Sequence, residues 1–486
     1  MYNHLLVAGY VALVVVLSIK FRQGTLSGFV ISNRNIMYPA VIGIAFTAAY
    51  FSAASFLGGG GYGLIAGFPW TIWATLLHVA FACLAWLIAP RIWTMAKYYD
   101  AKTVPQLLER RYNSPNGRII LAMIMLLMYT VYLIAIFKGC AHLFEGLLGI
   151  SYVQGLLVAV FIVSIYYTIG GLPAILWVSF IQGILMLAGA VLLYGALLFQ
   201  GGGIHIWENI PSAVTNMSGY VVPWETTLGM AFSISLGLLA LPDLLIMIFS
   251  AKDERVVRFA GIYGPLSIAV YAFCIFSIGV LAYGAFSTEE LAPFVENPDS
   301  FIPFVAQSLL PNGFDAIILL AAVSAAMSTI SAIVLVTTTS LTSDTLRFLR
   351  PSLPDDRVLL LTRVVGVFLI VVAAVMAHDV PEQIVPLVSV SMGVIACCVF
   401  VPLILGLCWK GGTSTGFVSG LLASFASVVV WHFYSGSVIH PVFIGLVSGI
   451  IVYVGSSLLT GPPVLMEQKS TRDEEPQMIH VQMENK

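Results

Sequence analysis

Charge is what this sequence has least of. Lys, Arg, Asp and Glu make up 9% of its 486 residues, against roughly a quarter in ordinary soluble domains, while 59% are hydrophobic. A soluble fold cannot bury that apolar share, so lipid must solvate much of the chain. At about 20 apolar residues per crossing, the hydrophobic mass makes a dozen or so helices and leaves little for a folded extramembrane domain. The few cations are scattered among short loops, which argues against nucleic-acid binding, and a net charge of -2 selects no partner. Cysteine is scarce too. Cys83, Cys140, Cys274, Cys397, Cys398 and Cys408 all fall in apolar stretches, so neither disulfides nor a metal cluster is expected. A Gly-rich phosphate loop, a serine-histidine-acid set and zinc spacing are all missing, and neither enzymatic activity nor a cofactor is expected.

What is present is a series of long apolar runs. They fall near residues 4–20, 38–66, 70–96, 117–146, 152–170, 173–200, 225–250, 257–286, 312–343, 357–378, 383–409, 413–434 and 439–460, and predict an all-α membrane protein of about thirteen spanning helices. The first run has no cationic stretch before it and no small-residue cleavage pattern, so it is expected to stay as a crossing. Beyond about Thr460 the chain turns polar, and the stretch Glu467 to Glu475 is expected to be solvated and disordered.

Loop cations then fix an orientation. Lys20, Arg22 and Arg34; Arg91, Lys97, Lys102, Arg110, Arg111 and Arg118; Lys252, Arg255 and Arg258; and Arg347, Arg350, Arg357, Arg363 and Lys410 all fall on one side of a thirteen-helix topology. The opposite loops hold acids such as Glu208, Glu289, Glu290, Glu296, Asp299, Asp379 and Glu382. This predicts an N-terminus outside and a tail in the cytoplasm of a cell membrane. Only Lys138 breaks the pattern.

Two runs read as interrupted helices. Residues 38–66 hold four consecutive glycines, Gly58 to Gly61, after the small polar run Ser52 to Ser55; residues 225–250 hold Gly229, Gly237 and Pro242. Five helices apart, they fit an inverted five-helix repeat in which unwound backbone lines a midplane site. An equally good reading is that the glycines simply permit close helix packing. Lys138 in the fourth run and Asp243 in the seventh are the intramembrane charges. Each costs about 2.5–3.5 kcal/mol on insertion scales, so each must face protein or water. A structural ion pair between them is one reading. In another, Lys138 holds a substrate carboxylate while Asp243 protonates or meets a cationic substrate group.

Four stretches carry a family resemblance. AAYFSAASFLGGGGYG (48–63), YYTIGGLPAILW (166–177), AAMSTISA (325–332) and GLCWKGGTSTG (406–416), with TVPQLLERRY (103–112) between them, resemble the sodium/solute symporter family, which includes proline, pantothenate, acetate and sugar carriers. The resemblance implies a leucine-transporter-type core of helices two to eleven with broken second and seventh helices. It divides the chain into a first helix and loop (1–36), a first repeat (37–200), a second repeat (201–410), two further helices (411–460) and a tail (461–486). It also implies a sodium site made by the carbonyls of Ala48, Phe51 and Ala325 and the hydroxyls of Ser328 and Thr329. A half-helix end offers carbonyls that no amide is using, although membrane hydroxyls usually bond back to their own helix. Relatives place an acid where this chain has Ser179, and a serine where it has Ala332, although Ser331 remains. Loss of that second-ion set implies one sodium per cycle; a Hill coefficient clearly above one for sodium-stimulated uptake contradicts it. The stretch LPDLLIMIF has Asp243 where the family has His, and Met247 and Ile248 where an Arg is expected, which removes any gating role carried over from relatives.

The expected function is sodium:solute symport by alternating access, with a small organic acid, a monocarboxylate or pantothenate-like compound, as first expectation. That choice rests on Lys138 as the sole buried cation, placed near Tyr50, Ser52 and Ser55 as an anion-attracting site; on it, Lys138→Met should abolish transport. A sodium- or proton-coupled carrier of a neutral solute, such as a proline-like amino acid or a sugar, is the alternative, and a channel or transporter-derived sensor the rivals from other classes. Gln182 and Trp177 read as packing or hydrogen-bonding residues, Trp70 and Trp73 as interfacial belt, and His142 and His205 as outer-face residues.

Overall fold

The structure, a computed structural model, describes residues 2–311, 313–379, 384–435, 437 and 439–461. Glu382 and the tail beyond Gly461 lie outside the described residues. Among the described residues, twelve single helices are long and apolar enough to cross a membrane, and one bent pair, Pro39–Tyr50 with Ala54–Ala66, makes a thirteenth. In order they are Tyr2–Lys20, the bent pair, Phe68–Tyr98, Pro115–Leu148, Tyr152–Gly170, Leu172–Gln200, Trp224–Phe249, Glu254–Ala282, Phe314–Leu349, Asp355–Asp379, Ile384–Cys408, Ser414–Tyr434 and Pro441–Leu459. Several begin where the sequence sets a proline in the first turn, as at Pro39, Pro69, Pro115, Pro173, Pro242 and Pro441. Proline's missing N–H is one that a helix start leaves unused anyway.

The third, seventh and eighth helices pack with the first half of the second into one bundle, while the fourth, fifth, ninth and tenth form a scaffold around it. The sixth helix lies against both the second and the ninth, and the eleventh against the seventh and the fourth. The ninth helix is buried along nearly its whole length, so its hydroxyls face protein rather than lipid.

Both interruptions are present, but the second helix does not break at its glycines. It bends by 68° at Phe51 to Ala53, ahead of the glycine run. Phe51 is extended (φ -83, ψ 116), its N–H closes the first half on Thr47 at 2.9 Å, and the Ser52 hydroxyl accepts from the Ala54 N–H at 3.1 Å to start the second half, as an N-cap serine does. The glycines pack instead. A Cβ on Gly61 would sit 2.0 Å from the Pro298 carbonyl, and one on Gly279 of the eighth helix 2.7 Å from the Leu64 N–H. The seventh helix parts at Leu241 (φ -66, ψ 123), ahead of Pro242.

On the acidic face, the short helices Thr288–Glu296 and Phe301–Leu309, joined through Pro298–Ser300, form a hairpin over the glycine-rich half of the second helix. On the basic face, Arg34 donates to the carbonyls of Phe249 (3.2 Å), Ala96 (3.2 Å) and Ala101 (2.6 Å). That guanidinium ties together the ends of the third and seventh helices.

Candidate functional site

Breaking the second helix leaves its last carbonyls without amide partners, and the ninth helix answers them. The Ser328 hydroxyl lies 2.6 Å from the Ala48 carbonyl and 2.8 Å from that of Ala325. The Thr329 hydroxyl lies 3.1 Å from Ala325 O and 3.5 Å from both Ala48 O and Phe51 O. The five oxygens expected from the sequence to hold sodium are thus gathered at one point, all on fully or almost fully buried residues. Both alcohols bond their own helix, as membrane hydroxyls do, and both also reach across to the break. The donor set is hard, neutral oxygen, which suits an alkali cation. Rotating two hydroxyl protons aside would turn their lone pairs toward an ion without adding a carboxylate.

On the other side of the same break is a cavity of about 20 Å³, on the scale of one water molecule. Tyr50, Phe51, Ser52, Ala54 and Ser55 of the second helix line it, facing Trp70 and His78 of the third, Tyr132 of the fourth, Ile234 of the seventh, Phe276 of the eighth and Val388 and Met392 of the eleventh. Among the described residues no Lys, Arg, Asp or Glu lines it. The Tyr50 hydroxyl is held by the Ile234 carbonyl at 2.9 Å. The Ser55 hydroxyl bonds Ser52 O at 2.8 Å and lies 3.2 Å from the Tyr271 hydroxyl. Trp70, expected in the interfacial belt, is instead a wall of this cavity, with its Nε1 donating to Gly59 O at 2.7 Å. Its place near a helix end suggested the membrane surface, but the bent half of the second helix covers it.

Lys138 and Asp243 form no pair with each other, and neither lines the cavity. The Lys138 ammonium lies 3.7 Å from Oδ2 of Asp299 in the acidic-face hairpin, and the same oxygen accepts from the Ile384 N–H at 3.2 Å. Burial pushes the Asp299 carboxyl above its ordinary range, with the Lys138 charge pulling it partly back. The cation that broke the loop pattern therefore serves an acid from the opposite set of loops, its long stem reaching toward that face as lysine stems do. Asp243, in the first turn of Pro242–Phe249, accepts from the Tyr129 hydroxyl. That partner comes from the fourth helix, so the bond joins bundle to scaffold.

A sequence model of the Sodium:solute symporter family matches residues 29–424. The chain belongs to the sodium:solute symporter family. Among curated relatives, this symporter is 26% identical to a sodium/proline symporter of Staphylococcus aureus, covering 96% of this chain and 94% of that protein. It is also 26% identical to sodium/proline symporter 2 of Staphylococcus saprophyticus, over 85% and 82% of the two chains. Among solved structures, a sodium-coupled sialic acid symporter superimposes with a TM-score of 0.83 at 18% identity, over 96% of this chain and 99% of that one. Mhp1, a nucleobase-cation-symport-1 family transporter, follows at 0.55 and 14%, over 88% and 93%. These likenesses establish the leucine-transporter fold with its two broken helices.

Two features of the symporter's site escaped the sequence reading. His78 is a lone histidine inside an apolar run, and Asp299 reads as one more loop acid. Where a second-ion set was expected to be lost, Ser179 is buried, with no hydrogen-bond partner for its hydroxyl among the described residues. Nearby on the same helix, Gln182 donates to the Tyr10 hydroxyl at 2.6 Å, a neutral bond to the first helix. His142 lies 3.3 Å from Glu145, and the exposed His205 3.2 Å from Glu208.

Proposed function

We propose that this symporter couples one sodium ion to uptake of a small solute with no net charge, most simply a zwitterionic amino acid of the proline type, by alternating access. The observation that carries the proposal is the cavity wall. It consists of aromatic rings, small hydroxyls and aliphatic side chains, with no Lys, Arg, Asp or Glu among the described residues to balance a net charge on the solute, and unbalanced charge is strongly disfavoured in such a site. The ground for an organic acid was Lys138, and its ammonium lies against Asp299 outside that wall. The relatives named as sodium/proline symporters support the same class.

In this reading, Ala48, Phe51, Ala325, Ser328 and Thr329 hold sodium, while Tyr50, Ser52 and Ser55 contact the solute. The basic face is cytoplasmic, with the N-terminus outside. Sodium bound across the break favours the arrangement of the second helix that presents Tyr50 and Ser52 to the solute, so each ligand tightens the other. Energetically, one sodium with a neutral solute moves one net charge. A 100 mV potential contributes roughly 2.3 kcal/mol and a tenfold sodium gradient about 1.4 kcal/mol, together enough for accumulation on the order of 500-fold.

The test is uptake by proteoliposomes given an inward sodium gradient, with and without an inside-negative potassium diffusion potential. L-Proline, acetate, pantothenate and glucose are compared, and parallel melts are run in sodium and in potassium. Proline uptake that rises with the potential, with proline stabilising the protein in sodium alone, is the expected result. Uptake of acetate or pantothenate, insensitive to potential, would return the organic acid to first place.

A further inference from the structure

His78 forms part of the cavity wall and is 1% exposed. Its Nδ1 is 2.6 Å from the carbonyl of Ala74, one turn back on its own helix, and 3.0 Å from the Ser235 hydroxyl of the seventh helix. A carbonyl oxygen only accepts, so Nδ1 must carry a proton; a bare nitrogen at that distance would set lone pair against lone pair. In the neutral ring, Nε2 is then an acceptor. It is buried and has no hydrogen-bond partner among the described residues. Three aromatic neighbours hold the ring. Phe51 stacks on it at 5.7 Å between centroids, Phe276 meets it edge-on at 5.1 Å, and Tyr50 tilts against it at 5.6 Å. With Nδ1 turned back to its own helix, the unpartnered Nε2 is on the opposite edge of a ring that lines the cavity.

We infer that His78 is a specificity-determining residue whose Nε2 accepts a hydrogen bond from an N–H or O–H of the transported solute. The wall therefore selects solutes that carry a donor at that point, and for a zwitterionic amino acid the donor is its ammonium. This rests on the proposed uptake of an uncharged or zwitterionic solute and adds the polarity of one subsite. A buried acceptor that a solute leaves unsatisfied penalises that solute, which makes hydrogen-bonded subsites more discriminating than apolar ones.

The probes are L-proline, whose ammonium has two N–H groups, and its N,N-dimethyl betaine, which has the same ring and carboxylate but no N–H. Binding is read as sodium-dependent thermal stabilisation and as competition for labelled proline uptake. Wild type should prefer proline over the betaine by about tenfold or more, the scale of a hydrogen bond involving a charged group. His78→Leu should lose proline affinity by a similar factor and leave betaine affinity unchanged, collapsing the preference. His78→Gln, which can offer an amide oxygen, should retain most of it. Equal affinity for the two probes in wild type overturns the inference even if no variant folds, as does a preference undiminished in a folded His78→Leu protein. If wild type shows no sodium-dependent proline binding at all, the neutral-solute reading fails and the inference falls with it, a pattern distinct from proline binding that ignores His78.

Discussion

Thr329→Val separates an ion ligand from a hydroxyl that merely bonds its own helix. Valine keeps the branched shape and removes one oxygen. In the structure that oxygen lies 3.1 Å from Ala325 O and 3.5 Å from Ala48 O and Phe51 O, so its neutral hydrogen bonds are long, and their loss should lower stability in potassium by no more than about 1 kcal/mol. An interaction with a charged partner is worth about 1.5–3 kcal/mol; at 2 kcal/mol, the sodium dissociation constant rises roughly 30-fold. Linkage then sets the readout. At a sodium concentration about 100 times the wild-type constant, sodium stabilises wild type by about 2.7 kcal/mol and the variant by only about 0.9 kcal/mol. The assay is thermal melting of purified protein across a sodium titration at constant ionic strength, with potassium as the balancing ion. Sodium-dependent stabilisation that is the same in both proteins would remove Thr329 from the ion site, whatever happens to the baseline.

Lys138→Met should leave solute affinity within about twofold while destabilising the hairpin, by roughly 2–3 kcal/mol at neutral pH, because it strands the mostly buried Asp299 carboxylate; Asp299→Asn in the same chain should recover most of that loss. Asp299 has a raised pKa in the folded protein, so its favourable contribution is full below the ordinary carboxylate range near 3.9 and is lost as pH rises through the raised value. Removing Lys138 takes away the opposing pull, and melts from pH 4 to 8 should show a steeper loss in Lys138→Met than in wild type. Gly61→Ala would set a Cβ 2.0 Å from the Pro298 carbonyl, and should lower stability by about 1–3 kcal/mol and impair uptake. Gly9→Ala, with nothing within 4 Å, is the control and should melt at or slightly above the wild-type temperature. Tyr129→Phe leaves the buried Asp243 carboxylate short of a donor and should cost about 2 kcal/mol in a thermal melt, with solute affinity changed far less than by His78→Leu.

Helix number and approximate position were legible because a crossing needs a long apolar run and little else. The two interruptions were legible as well, and in the second helix the break falls at the start of the polar run Ser52 to Ser55 rather than at the glycines. Four glycines in a row look like a break, and they form helix, because their backbone can approach the hairpin and the eighth helix. Ser52 breaks the helix, by capping the half that follows it. The partners of Lys138 and Asp243 were beyond reach. Asp299 lies 161 residues from Lys138 and Tyr129 lies 114 from Asp243, and nothing local marks either as a partner. Two rare buried charges invite each other on paper; in the fold, each meets a group whose own segment gives no sign of it. His78 was invisible for the opposite reason, since a single histidine in an apolar helix is most often a satisfied core residue. What distinguishes it is one nitrogen without a hydrogen-bond partner among the described residues, a property of packing alone.

The proposed coupling of ion to solute needs no long relay, because the break in the second helix has two sides and Phe51 occupies both. Its carbonyl faces the Thr329 hydroxyl at 3.5 Å, while its ring lies 4.2 Å from that of Tyr271 and stacks on His78. The preceding residue, Tyr50, is anchored on the seventh helix through Ile234, and the following one, Ser52, caps the second half-helix. An ion that fixes the peptide oxygens of Ala48 and Phe51 therefore limits where the Phe51 ring and the Ser52 hydroxyl can lie. Ordering of this segment by the first ligand is ordering the second no longer has to provide, which yields positive coupling even without a large displacement. On the proposed assignment the ion needs no carboxylate. Peptide oxygens belong to the segment that lines the cavity, so an ion that holds them would act directly on the cavity wall, whereas a carboxylate on the scaffold would bind sodium equally well and report nothing to the solute.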